Sequence, residues 1–431
     1  MSDDHGRDSP PGFGTVLFLQ PRDVLGTVGG SESLIRTNLL LAVRRGFSTH
    51  LLGALPASAF SMVSPEYGPI TMVANPLRFV GRRSTPRSID LAALSHVSRQ
   101  AAGSICRALP PGEPIIIDSC SVAVDIAVEV RNLLRREGRN VSVVGRFYCT
   151  ILDEMRAKYE GIRPLHGAGA RVSAAFELAM ARLVLNPAER RGFQNCDIAV
   201  SNYRQLLPLL FDEFGHRPDV RIMPYTSGLE PAAVSPRPGR SPNRPLRIVA
   251  VSRHDPRKGV DVLLEALQEL QRRSVAFEAR LIGPGALLDA HRALANRLGL
   301  DGNVKIPGRV DDVDADYRWA DVFVLPSHEE HSGSLSLIEA ARWGCALIST
   351  DIGSLAEDLS EPSDGLLVAP GRPAALADAM ERCAVQPLIL ADLQRGARAL
   401  FLRRFDPDVA ADGQQALYET LGVRPRVPPP S

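Results

Sequence analysis

Residues 246–265 read Leu246-Arg-Ile-Val-Ala-Val-Ser-Arg253-His-Asp-Pro-Arg-Lys258-Gly259-Val-Asp-Val-Leu-Leu-Glu265. The first six, apolar apart from Arg247, have the length of a buried strand. Val260, Leu263, Leu264, Leu267 and Leu270 then recur at the spacing of one helix face. The same alternation continues downstream, with strands expected over 279–282, 304–306, 322–325, 346–349 and 365–368. Helices are expected over 286–298, from about 335 to 343, and over 374–384. Upstream, apolar runs at 15–19, 50–52, 114–118, 141–144 and 196–201 read as strands. Helical patterns around 34–42 and 122–135, and a mostly helical stretch over 151–190, separate them. Strands alternating with helices of this length predict α/β architecture, with parallel sheets covered on both faces.

A chain of 431 residues exceeds what one core of about 250–300 residues sustains. The break is expected at 232–245, a Pro-, Arg- and Ser-rich stretch without periodicity. Two α/β domains are therefore expected, 13–231 and 246–404, with a ligand cleft between them and a disordered tail over 1–12. Charge is balanced, 50 Lys+Arg against 49 Asp+Glu, which gives no overall reason for a nucleic-acid partner. Mean hydropathy is −0.04, and no apolar run reaches the 18–20 residues of a membrane span. The polar start lacks the basic and apolar regions of a signal peptide, and the six scattered cysteines include no Cys-x-x-Cys pair. Both features fit a cytoplasmic protein with reduced thiols.

Several chemistries are excluded by motif. No Gly-x-Gly-x-x-Gly follows a strand and no Gly-x4-Gly-Lys-Ser/Thr occurs, which argues against dinucleotide-binding and P-loop folds. His328-Glu-Glu-His331 brings its second histidine one residue too early for a metalloprotease helix, and no Gly-x-Ser-x-Gly elbow is present.

Two segments carry positive evidence. Arg253 at the carboxyl end of a strand and Lys258 at the start of a helix suit a diphosphate. The arginine offers a fork, the lysine a compact charge, and the helix its free N–H groups. A pair of solvated loop cations is the plain alternative, but Lys258 is one of only three lysines, with Lys158 and Lys305. The second segment runs Val322-Phe-Val-Leu-Pro-Ser-His-Glu-Glu330-His331-Ser-Gly333-Ser334-Leu335-Ser-Leu-Ile-Glu339. Here a buried strand empties into an acidic loop that opens a helix, with Glu339 about one turn in. Backbone amides there can hold a phosphate, and the carboxylate can accept from sugar hydroxyls. A serine cap with a dipole-favoured glutamate reads the same residues without function.

Taken in order, these segments resemble the retaining GT-B glycosyltransferases of family 4 (group 1), over most of 245–405. The resemblance rests on Ser252-Arg253…Lys258-Gly259, Leu281-Ile-Gly-Pro-Gly285, Val304-Lys-Ile-Pro-Gly308-Arg309-Val310, Ala320 to Ser327, and Ile338-Glu339-Ala-Ala-Arg-Trp-Gly344. Ser349 to Ser354 and Asp364 to Pro370 follow, and Gly29-Gly30-Ser-Glu32 matches more loosely. It implies two Rossmann-like domains and a helix over 405–422 returning to the first. It also implies a UDP-, GDP- or ADP-sugar as donor, a hydroxyl acceptor, and no metal or other cofactor. Arg253 and Lys258 would hold the diphosphate, and Glu339 the ribose. The backbone at Gly308, Arg309 and Val310 would line the base. Gly333, Ser334 and Leu335 would offer amides, and Gly29 and Gly30 would allow close approach to the phosphate.

Two departures stand out. The family's acidic pair is eight residues apart, whereas Glu330 and Glu339 are nine apart. Either Glu330 or His331 therefore takes the place that faces the donor sugar, and the carboxylate is the better sugar acceptor. Many members also carry a first-domain histidine where this chain has Asp118-Ser-Cys120 and Arg146-Phe-Tyr-Cys149. Asp118 and Arg146 are the weak acceptor-side candidates in its stead, with ordinary loop residues as the alternative. The runner-up functions are a sugar-nucleotide epimerase or phosphorylase of the same fold, and a nucleotide-sugar-binding protein of weak activity. Peripheral membrane contact through 79–87 is a further expectation, as is a small polar acceptor.

Overall fold

The computed structural model of the chain describes residues 12–20, 30–53, 71–73, 91–109, 111–162, 168–228, 244–330, 332–360 and 362–426. Residues 1–11 of the expected tail, nearly all of the 232–245 linker, the 79–87 patch, Gly29 and His331 lie outside the described residues, while Gly12, the last residue of that tail, is in a strand.

The described residues form strands β1 (Gly12–Phe13), β2 (Thr15–Gln20), β3 (Ser48–Gly53), β4 (Thr71–Val73), β5 (Ile115–Cys120), β6 (Val141–Arg146), β7 (Ile198–Ser201) and β8 (Arg221–Ile222). In the second half come β9 (Leu246–Val251), β10 (Phe277–Ile282), β11 (Val304–Gly308), β12 (Val322–Leu325), β13 (Ala346–Thr350), β14 (Leu366–Val368) and β15 (Val423–Arg424). One sheet has the order β4-β3-β2-β5-β6-β7-β8 and the other β11-β10-β9-β12-β13-β14. Every pairing in both is parallel. The chain divides into two units, Met1–Asn202 with Leu207–Tyr225 and Ala410–Ser431, and Tyr203–Leu206 with Thr226–Val409.

In the second unit, β9 and β12 are the central strands, and all four residues of β12 are buried. That is the reason both read as near-continuous apolar runs, because a parallel strand covered on two faces has no polar side to show. The helix Val260–Arg272 lays Val260, Leu263, Leu264, Leu267 and Leu270 into a core shared with Leu246, Ile248, Leu281, Val324 and Ile348. Two further helices, Pro373–Val385 and Pro387–Leu400, add Leu376, Met380, Leu390 and Leu393 to it.

In the first unit, β5 and β6 are buried nearly throughout. The short strands β1 and β15 pair beside this sheet, and Tyr418, on the last helix Pro407–Thr420, is fully buried in it. Asp118 lies within β5, which runs on past the expected 114–118 to Cys120, and Arg146 ends β6. Asp118 is fully buried and Arg146 nearly so, with Arg146 Nε at 2.7 Å and Nη2 at 2.8 Å from the two carboxylate oxygens. Tyr418 donates to Asp118 Oδ2 at 2.7 Å, and Arg146 Nη2 donates to Gln414 Oε1 at 3.2 Å. The charges of these two acceptor-side candidates are turned on each other and on the last helix. A buried ion pair has to be satisfied in this way to be tolerated.

Candidate functional site

The parallel sheet of the second unit sends each strand's carboxyl end into a loop, and three such loops are pinned together. After β9, Asp255 accepts from Arg257 N at 3.2 Å and caps the single 3-10 turn Pro256–Lys258. Arg253 Nη2 lies 3.2 Å from Asp255 Oδ2, with the Arg253 side chain still 63% exposed. Gly259 has φ of +59°, and a Cβ there would stand 2.0 Å from the Pro326 carbonyl oxygen. Only glycine lets the Lys258 loop approach the exit of β12 so closely. His328 N donates to Arg257 O at 2.7 Å across the same junction.

The loop after β12 is held in turn by the loop after β13. Thr350 Oγ1 donates to Ser327 O at 2.7 Å, and both Ser354 N and Ser354 Oγ donate to Glu330 O. Gly333 N donates to Ser354 Oγ at 2.8 Å. Gly333, at φ of +80°, rests against the Tyr203 ring, whose atoms a Cβ would meet at 2.3–2.6 Å. Tyr203 is itself fixed by donating to the buried Asp358 at 2.8 Å. With its backbone so fixed, Glu330 turns its carboxylate to Lys258, Nζ to Oε2 at 2.5 Å, and accepts from Ser327 Oγ at 3.4 Å.

Ser334 caps the helix Leu335–Arg342 by accepting from Leu337 N at 3.4 Å, and its hydroxyl also meets Ser336 Oγ. The serine-cap reading is thus realised at this residue. Leu335 opens the helix and is half-buried. One turn in, Glu339 accepts from the fully buried Tyr317 hydroxyl at 2.9 Å. Burial pushes the Glu339 carboxyl up to about 7, Tyr317 and Arg342 pull it down, and Asp314 adds to the rise. Asp314 is held by Trp343 Nε1 at 2.8 Å.

The remaining candidates differ in kind. Gly308 ends β11 with φ of +83° and its carbonyl accepts from Gly283 N at 2.9 Å, with Arg309 exposed and Val310 half-buried beyond it. Gly30 begins the helix Gly30–Arg44 of the first unit. The structure therefore gathers Lys258, Glu330, Gly333 and Ser334 through pinned loops. Within the first unit, Asp118 and Arg146 are turned on each other. Tyr317, Tyr203, Ser354 and His254 were not singled out from sequence. Each acts through a partner more than 20 residues away, and only the isolated tyrosine of the polar stretch before β12 gave any signal for Tyr317.

Comparison with known proteins adds sequence likeness to this geometry. Residues 245–385 match the family model described as Glycosyl transferases group 1. A putative colanic acid biosynthesis glycosyltransferase, WcaL of Escherichia coli K12, is 32% identical over 158 residues, 35% of this chain and 39% of that protein. The D-inositol 3-phosphate glycosyltransferase of Corynebacterium efficiens is 29% identical over 210 residues, 44% of this chain and 49% of its own length. The chain thus spans half or less of these curated relatives. Among solved structures, the Anabaena protein HepE in complex with UDP superposes with a TM-score of 0.64 at 16% identity, covering 94% of this chain and 99% of that one. No helix among the described residues is long and apolar enough to cross a membrane. The chain has the GT-B fold, and over residues 245–385 it is similar to the group 1 glycosyl transferases.

Proposed function

We propose that the protein is a retaining glycosyltransferase that moves a sugar from a nucleoside-diphosphate sugar to a hydroxyl acceptor without a metal cofactor. The observation that carries this reading is the junction of Lys258 with Glu330. It sets the cationic loop, the acidic loop and the start of the helix Leu335–Arg342 side by side, inside the segment that matches the family. In this reading Arg253 and Lys258 bind the diphosphate, amides at Gly333, Ser334 and Leu335 bind phosphate or donor sugar, and Glu339 receives the ribose hydroxyls. Glu330, once released from Lys258, accepts from hydroxyls of the donor sugar.

The chemistry follows from where charge develops. As the glycosidic bond to the diphosphate breaks, the sugar carbon takes on oxocarbenium character and the leaving diphosphate gains negative charge. Fixed cations and amides aimed at that charge stabilise the transition state more than the ground state. The acceptor hydroxyl then attacks from the face the diphosphate leaves, the leaving oxygen takes the hydroxyl proton, and the configuration is retained. The first unit is assigned to the acceptor. That a related fold has been solved with UDP supports a nucleotide donor.

Incubation of the full chain with UDP-, GDP- and ADP-sugars, followed by nucleotide release and anomer analysis by NMR, tests this. Slow release of one nucleoside diphosphate with the sugar's anomeric configuration kept is expected. Binding without turnover, with acceptors supplied, would leave a binding protein instead.

A further inference from the structure

His254 sits directly beside Arg253, yet the two are treated in opposite ways. The Arg253 side chain is 63% exposed, whereas His254 is 1% exposed and lies against His291, itself 4% exposed, on the helix Leu288–Arg297. The two rings meet Nδ1 to Nδ1 at 2.9 Å. Such a contact needs one ring with N–H and the other with a lone pair. The Leu281 backbone also hydrogen-bonds the His254 ring and favours its protonated form, as a carbonyl acceptor does. With the other ring N–H of His254 donated to the Leu281 backbone, Nδ1 of His254 is the acceptor and Nδ1–H of His291 the donor of the ring-to-ring bond.

The backbone of His254 is fixed as firmly as its ring. His254 N donates to Pro284 O at 2.8 Å, and His254 O accepts from Leu287 N at 2.9 Å. A Cβ on Gly285 would stand 2.3 Å from His254 O, so the loop after β10 lies directly on this residue. Fixing residue 254 in backbone and side chain fixes the point from which Arg253 projects.

We propose that His254 and His291 are positioning residues for nucleoside diphosphate binding, their ring-to-ring hydrogen bond setting the direction of Arg253. The proposal rests on the reading of Arg253 as a diphosphate ligand. It carries a pH signature. The pair tolerates no proton or one, but two protons put N–H against N–H. Facing the rings are Asp255 on the same loop, Asp261 on the helix Val260–Arg272 and Arg292 on the helix of His291. Burial outweighs the two carboxylates, and the second ring and Arg292 oppose charge, so His254 is pushed down to about 4 and His291 is lowered as well. Both rings are therefore neutral in the fold where they would be charged in the unfolded chain. The order they supply is lost as pH falls from the ordinary histidine value toward about 4.

The test is calorimetric titration of UDP and of GDP, each alone, into the full chain from pH 7.5 down to pH 4, the value near which His254 takes up its proton. Arg253→Ala is expected to weaken binding about tenfold. His291→Leu, which deprives His254 of its donor, is expected to weaken it by roughly tenfold at pH 7.5 through misplacement of Arg253. His291→Asn restores a partner, because its amide donates to neutral His254 and, turned over, accepts from the protonated ring. It should bind like the unmodified protein at pH 7.5 and lose less affinity on acidification. A folded His291→Leu protein with unchanged affinity would overturn the proposal. So would identical pH profiles for His291→Asn and the unmodified chain, and that comparison decides if His291→Leu does not fold. Unchanged binding by Arg253→Ala would instead bring down the diphosphate reading itself.

Discussion

Lys258 Nζ lies 2.5 Å from Glu330 Oε2, and both side chains are largely buried at this contact. A diphosphate that binds Lys258 has to take the place of this carboxylate, so Glu330 and the nucleotide compete for one ammonium. Glu330→Gln should therefore tighten binding of the nucleoside diphosphate alone by roughly twofold to fivefold, the measure of a partly exposed ion pair. Turnover of the sugar donor should fall in the same variant. Calorimetry with and without added salt checks the first part. Weaker nucleotide binding by Glu330→Gln would show that the pair assembles the site rather than blocking it.

Glu339 gives a pH-dependent prediction. Its carboxyl is raised to about 7, chiefly by burial, and the Tyr317 hydroxyl is the largest influence that lowers it. In the role proposed for it, the ionised form accepts from ribose hydroxyls, so on that proposal nucleotide affinity should climb as pH rises through about 7. Tyr317→Phe removes the donor and should move that midpoint upward by about half a unit to one unit. Stability has the opposite sign. A carboxyl raised on folding binds its proton more tightly in the folded chain, so its contribution is present at low pH and is lost as pH rises through about 7. Nucleotide titrations and melting curves between pH 6 and 8.5 separate the two.

Asp118 and Arg146 should matter to the fold rather than to the donor. Breaking a buried pair from one side strands the other charge. Asp118→Asn or Arg146→Met should accordingly destabilise the first unit by about 3–5 kcal/mol. Tyr418→Phe, which deletes one hydrogen bond to Asp118, should cost about 1 kcal/mol. Denaturant melts followed by circular dichroism measure both. Nucleotide affinity of the folded Tyr418→Phe protein should be unchanged.

Gly259 should be irreplaceable for two separate reasons. Gly259→Ala meets both a positive φ and the Pro326 carbonyl, and should lose more than about 1 kcal/mol together with nucleotide affinity. Gly299 also has a positive φ, +70°, but open space where a Cβ would stand. Gly299→Ala should show the strain alone and bind nucleotide normally, which isolates the contact that places Lys258.

Elements that depend on local patterning were the most legible in the sequence. Leu246–Val251 and Val322–Leu325 occupy the expected residues, because strands buried on two faces read as near-continuous apolar runs, Arg247 being the one interruption. The stripe Val260 to Leu270 marked its helix for the same kind of reason. Other elements were passed over. Leu91–Ala108 and Pro387–Leu400 were not distinguished, nor was the three-residue strand Thr71–Val73, too short to show a period. Motif order pointed to Lys258, Glu330 and Glu339, but not to what they touch. The partners come from far along the chain: Glu330 is 72 residues from Lys258, and Tyr418 is 300 from Asp118. Those distances in sequence are closed by sheet order and by the packing of the last helix, which no local pattern records. The 28-residue step from Asp118 to Arg146 makes them partners on adjacent strands.

The central claim, that Lys258 and Glu339 hold a nucleotide donor, is tested most directly by calorimetric titration of UDP, GDP and ADP. The unmodified chain, Lys258→Ala and Glu339→Ala are compared at one pH. One nucleotide should bind the unmodified protein, with affinity reduced about tenfold or more in each variant while the melting profile is kept. Equal affinity in all three proteins would contradict the account.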